Sequence, residues 1–331
     1  MRPTGYSRRT LLRQLALLGA GLGAAWWVRE HYLFPKPVVE FPGGASGTDW
    51  LALPDPGGLI ELPAHIAGLP IRVVVDSGAQ FSAIDRDFAR RLGLKEAPLP
   101  LLAFGVSGKP SVTHTVTLDL NVGGMQLLAM RAATLDLLAL SGVMRRPFAM
   151  LIGRDVLQAL TADIDWPNAR ARFFAPGIFQ PELGARVVPV RSQGGALMTP
   201  VSIEGAAPIE VMVDTGATSE LALSEPVARK LGLLSGRPMT SGRSVSLGGV
   251  GVDRVVHAAE VDFAGRRLSD VEVQVFTPSA PAPLPAGLLG VGILKHYRVA
   301  LDVGAGVLWL TGPAAARPQH RVGPHAVLQE G

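Results

Sequence analysis

The chain has 331 residues, 48% of them hydrophobic and 6% aromatic, which is apolar material enough for two ordinary domains and argues against large-scale disorder or a coiled coil. It contains no cysteine, so disulfides, thiolate metal sites and thiol nucleophiles are excluded. The formal charge of +4 is an N-terminal effect of Arg2, Arg8, Arg9 and Arg13; the remaining basic residues are scattered among acids, unlike a nucleic-acid footprint.

The first segment in chain order is Ser7-Arg8-Arg9-Thr10-Leu11-Leu12 followed by an apolar run from Leu15 to Val28. It resembles a twin-arginine export signal. Residues 1–34 are therefore expected to be an export signal or N-terminal anchor of an exported, periplasmic or extracellular protein, with membrane contact through this segment. The run is short beside the roughly 20 residues of a membrane span. Gly23 and Ala25 suit cleavage, Trp26 and Trp27 suit a retained interfacial anchor, and both outcomes stay open. Residues 35–58, rich in Pro and Gly, read as a linker.

An internal repeat organises the rest. Val73-Val74-Val75-Asp76-Ser77-Gly78-Ala79 returns as Val211-Met212-Val213-Asp214-Thr215-Gly216-Ala217. Phe88-Ala89-Arg90-Arg91-Leu92-Gly93-Leu94 returns as Val227-Ala228-Arg229-Lys230-Leu231-Gly232-Leu233, and Leu151-Ile152-Gly153 with Asp165 aligns with Leu288-Leu289-Gly290 and Asp302. Three blocks in register imply duplication of a whole domain. Each copy reads mostly as strands, such as Ile71 to Val75, Val112 to Val122, Val255 to Phe263 and Val271 to Phe276. Short helices are expected over Arg86–Leu92 and Glu225–Leu231, stopped by Gly93 and Gly232, with another after each hydrophobic-hydrophobic-Gly block. The expected fold is all-β: two homologous, closed-barrel-like lobes related by a pseudo-twofold axis, residues 59–182 and 183–313, followed by a flexible tail over 314–331.

In each copy an apolar strand runs into Asp, a small hydroxyl residue and Gly, an arrangement that delivers a carboxylate at a tight turn. Gly78 and Gly216 let the backbone double back, and Ser77 and Thr215 add hydrogen bonding. Pseudo-twofold packing brings Asp76 and Asp214 together. Two carboxylates a few ångströms apart share one proton, which suits amide hydrolysis: the ionised member takes a proton from water while the protonated member hydrogen-bonds the scissile carbonyl.

With these motifs the chain resembles the aspartic peptidases, and their retropepsin-like branch in particular, over roughly residues 60 to 312. Retropepsins pair two such units as a homodimer, and here both units lie in one chain in the pepsin manner. The resemblance implies an endopeptidase acting on extended peptides or unfolded proteins, with Asp76 and Asp214 catalytic, Ser77, Gly78, Thr215 and Gly216 supporting them, no cofactor, no metal, no nucleic-acid partner and a monomeric state. It further implies hairpin flaps over the cleft, for which Gly105, Val106 and Gly108 and then Gly248, Gly249 and Gly251 are the candidates. The copies differ where Arg154-Asp155 follows Gly153 but Val291-Gly292 follows Gly290, and at Gln80 against Thr218. The competing class is a non-catalytic peptide- or envelope-binding module on the same fold. A glycosidase, whose two carboxylates sit farther apart or in unlike settings, fits less well. The seven histidines show no metal-ligand spacing.

Overall fold

The repeat is visible in the computed structural model as the same nine strands laid down twice. The structure describes residues 36–103, 111–137, 147–246, 249–278 and 285–312. The first copy runs β1 (Leu51–Ala52), β2 (Ile60–Ile66), β3 (Leu69–Val75), β4 (Ala83–Asp85), β5 (Thr115–Val122), β6 (Met125–Leu135), β7 (Met150–Ile152), β8 (Thr161–Asp165) and β9 (Arg170–Phe174). The second runs β10 (Arg186–Val188), β11 (Ala196–Ile203), β12 (Ile209–Val213), β13 (Leu221–Ser224), β14 (Gly249–Phe263), β15 (Arg266–Phe276), β16 (Gly287–Leu289), β17 (Arg298–Asp302) and β18 (Val307–Thr311). Short helices α1 (Arg86–Arg91), α2 (Arg154–Leu157), α3 (Glu225–Lys230) and α4 (Val291–Leu294) fall where the sequence placed them.

In the first lobe the order β6-β4-β7-β3-β2-β5 closes on itself because β5 also pairs with β6. In the second, β15-β13-β16-β12-β11-β14 closes through β14 and β15. The lobes are thus two closed six-stranded barrels with matching topology, down to the parallel pairs β7 with β3 and β16 with β12. Sequence explains the strands. In β2, Ile60, Leu62, Ala64 and Ile66 are buried while Pro63 and His65 face out, a period of two. In β3 the alternation stops: Val73, Val74 and Val75 are all buried, since one face enters the barrel and the other the seam between lobes. Asp85 caps α1 by accepting from the Phe88 N–H at 2.9 Å, and Gly93 and Gly232 end α1 and α3 with φ of 68° and 74°.

A third sheet, ordered β10-β18-β17-β8-β9-β1, joins the lobes. At its centre Asp163 on β8 lies opposite its own repeat equivalent, Ala300 on β17, so the pseudo-twofold axis passes between them. The outer contacts repeat as well, Leu51 with Ala171 and Val188 with Leu308.

Of residues 35–58, expected to be a linker, the described part, from residue 36 on, is instead built into the fold. Val38–Glu40 adds a strand to β6, β1 extends the joining sheet, and Leu53 is buried. Trp50 lies under the guanidinium groups of Arg170 and Arg172, each 4.1 Å from its ring centre, and of Arg298 at 5.2 Å. The Pro and Gly residues that suggested a tether only make the turns between these short strands. Buried Asp163 meanwhile accepts from Arg172 Nε at 2.9 Å and from Arg298 Nε at 2.8 Å, so it ties the sheet together. Residues 1–34 and 314–331, with the export and tail expectations attached to them, lie outside the described residues. Among the described residues, no helix is long and apolar enough to cross a membrane.

Candidate active site

Each aspartate is delivered by the same local machinery. The Asp76 N–H donates to Ile152 O of β7 at 2.9 Å, and the Asp214 N–H to Leu289 O of β16 at 3.0 Å. Behind each turn, the first residue of the following helix donates its N–H back into it: Arg154 to Ala79 O at 3.0 Å and Val291 to Ala217 O at 2.8 Å. The hydrophobic-hydrophobic-Gly blocks of the sequence are therefore the strands that fix the aspartates.

The two turns interlock across the seam. The Ser77 N–H donates to Thr215 Oγ1 at 2.9 Å and the Thr215 N–H to Ser77 Oγ at 3.1 Å. Each hydroxyl in turn donates to a carbonyl at the end of the opposite strand, Ser77 Oγ to Val213 O at 2.8 Å and Thr215 Oγ1 to Val75 O at 2.9 Å. The hydroxyls support the site by locking one lobe to the other, and all four bonds are buried, where an unmatched partner is most costly. The glycines are equally constrained. A Cβ on Gly78 would stand 2.4 Å from the Asp214 carboxyl carbon, and one on Gly216 would stand 2.3 Å from that of Asp76. Each glycine makes room for the carboxylate of the opposite lobe.

The two carboxyls lie against each other within hydrogen-bonding reach. Burial is the largest influence on both and pushes both upward. For Asp214 the neighbouring charge of Asp76 adds to burial, and its pKa lies well above the usual carboxylate range. Asp76 is raised less strongly because its Oδ1 accepts two N–H groups, from Gly78 at 2.8 Å and Ala79 at 3.0 Å. Asp214 Oδ1 accepts one, from Gly216 at 2.8 Å. Two carboxyls so close, both pushed upward, share one proton between them over the range that separates the pair's two titrations.

Sequence reasoning singled out Arg154 and Asp155 only as a difference between the copies, and it missed Ser82. Asp155 Oδ1 accepts from the Ser82 N–H at 2.9 Å and from its hydroxyl at 2.8 Å, and the Ser82 hydroxyl accepts from the Gly153 N–H at 3.0 Å. Burial raises Asp155 to about 7 despite those hydrogen bonds. The second lobe has Glu220 for Ser82 and Gly292 for Asp155, and a Cβ on Gly292 would approach Glu220 to 2.7 Å. Ser82 carries no motif of its own; only the matching of its spacing against Glu220 points to it.

Of the flap candidates, Gly105, Val106, Gly108 and Gly248 lie outside the described residues. Gly249 and Gly251 lie in β14, where they pair with Ser246 and Ser244 of the strand Thr240–Ser246. The first lobe has a corresponding hairpin, Leu101–Ala103 with Ser111–Thr113.

A family model described as aspartyl protease matches residues 62–156 and, a second time, residues 199–293. The chain belongs to the aspartyl protease family. The two matches span the two barrels and make this family member a two-lobed chain. No curated protein matches it. Among solved structures it is similar to a retropepsin-like aspartic protease from Rickettsia conorii, at 24% identity over 39% of this chain and 91% of that one, with a TM-score of 0.30.

Proposed function

We propose that this family member is an aspartic endopeptidase that hydrolyses peptide bonds in extended peptides or unfolded proteins, using water activated between Asp76 and Asp214. The observation that carries the reading is the interlock of the two Asp-hydroxyl-Gly turns, which holds two carboxyls against each other at the lobe seam. Asp76 takes a proton from the water as its oxygen bonds to the scissile carbonyl carbon, and Asp214 gives its proton to the carbonyl oxygen. In the second half Asp76 passes its proton to the leaving nitrogen as the C–N bond breaks, while Asp214 recovers one from the gem-diol. The cycle restores its own protonation state and forms no acyl-enzyme. The two hairpins, Leu101–Ala103 with Ser111–Thr113 and Thr240–Ser246 with the start of β14, serve in this reading as the elements that cover the bound peptide.

The test is incubation with a diverse peptide mixture between about pH 3 and pH 8, a range chosen to cross both carboxyl titrations, with cleavage read by mass spectrometry. The wild type is expected to cut, and folded Asp76→Asn and Asp214→Asn variants to be inactive. Cutting by either variant at the wild-type rate would refute the reading. Absence of cutting at every pH would leave the fold as a peptide-binding module.

A further inference from the structure

The two halves of the site are not equivalent in charge. α2 begins with Arg154 where α4 begins with Val291, and both residues are buried. The Arg154 peptide N–H donates to Ala79 O in the turn of Asp76, while its guanidinium Nη1 lies 3.3 Å from Met212 Sδ in the other lobe. Met212 lies on β12, two residues before Asp214, which follows directly after the strand's end. One guanidinium thus reaches from the helix behind Asp76 to the strand that carries Asp214. Val291 repeats the backbone bond and brings no charge.

We propose that Arg154 is a positioning residue for the dyad, a buried cation supplied by the first lobe that sets the pH window in which the two aspartates share one proton. This rests on the peptidase reading of Asp76 and Asp214 and deepens it. Among the described residues, the charged groups about the dyad are few. From the first-lobe side come Asp76, Arg154 and Asp155, the last turned away toward Ser82. From the second lobe comes Asp214, and α4 offers Val291, Gly292, Ile293 and Leu294, none of them ionisable. Arg154 acts on both carboxyls in the direction opposite to burial. An arginine stays protonated in any such setting, so its influence does not fade across the working range.

The experiment follows the carboxyl carbons of 13C-labelled aspartate by NMR from about pH 3 to about pH 9 in the wild type and in Arg154→Met, Arg154→Gln and Arg154→Lys. Both neutral variants are expected to move both proton steps of the pair upward by about one pH unit, and Arg154→Lys to keep them near their wild-type positions. Both limbs of the pH–rate profile for peptide cleavage are expected to move the same way. Neutral variants that titrate as the wild type does would overturn the proposal. So would neutral variants that fail to fold by near-UV circular dichroism, because Arg154 would then be structural. Failure of the peptidase reading shows itself separately, as shifted carboxyl titrations in a wild type that cuts nothing.

Discussion

Asp155 shows how a single buried group ties stability to pH. Its carboxyl, held by Ser82 in a buried pocket, titrates at about 7 rather than at its ordinary 3.8. The folded chain therefore keeps a proton that the unfolded chain releases, and unfolding sheds it between about pH 4 and pH 7. Stability falls as the pH rises through that window. Each pH unit of the window removes about 1.4 kcal/mol, so the loss approaches ~4 kcal/mol by neutral pH. Urea denaturation midpoints from pH 4 to pH 8 are expected to decline in the wild type, and Asp155→Asn, which keeps an acceptor for Ser82 without a charge, is expected to flatten the decline. An unchanged slope in Asp155→Asn would assign the pH dependence to other groups. Gly216 makes a sharper case. Its replacement by Ala drives a methyl into the Asp76 carboxylate, at a cost of about 1–3 kcal/mol in stability. Misplacing the reacting groups by about an ångström costs on the order of a hundredfold in rate. Peptide cleavage by Gly216→Ala is expected to drop by that much, and a variant with wild-type activity would show that the turns are not as tightly interlocked as described.

Among the elements, those with a local signature were legible in the sequence. The strand-to-Asp turns, the helices closed by Gly93 and Gly232, and the paired hydrophobic-hydrophobic-Gly strands could be read because each combines a short-range pattern with a second copy that repeats it. What escaped depends on long-range pairing. Val38–Glu40 and Leu51–Ala52 are too short to show a period, and only their partners β6 and β9 make them strands. Asp163 has no local signature, because the two arginines that hold it come from β9 and β17. Ser77 and Thr215 stand out in the motif itself, yet their partners lie in the opposite lobe and no local reasoning names them. The N-terminal strands give a prediction of their own. Removing the ring that three guanidinium groups share, by Trp50→Ala, is expected to cost about 1–2 kcal/mol, the sum of a few partly exposed cation–π contacts. Thermal melting would measure it, and an unchanged melting temperature would return residues 35–58 to the status of a linker.

At the scale of the whole molecule, the chain is two barrels joined through one shared sheet, and the pseudo-twofold axis that relates them runs between Asp163 and Ala300. The duplication supplies two copies of one carboxylate turn, which the proposed mechanism uses as one acid and one base across the seam. Symmetry is then broken where the chemistry needs a difference: two N–H donors on Asp76 against one on Asp214, and Arg154 against Val291. Neither lobe holds a complete site. The most direct measurement is the double-mutant cycle of kcat/KM over wild type, Asp76→Asn, Asp214→Asn and the double variant, on one peptide that the wild type cleaves. If the carboxyls act as a unit, each single substitution costs at least ~10³-fold and the double variant falls no further than either one. A single variant that keeps a substantial part of the rate, or losses that multiply in the double variant, would contradict the shared dyad.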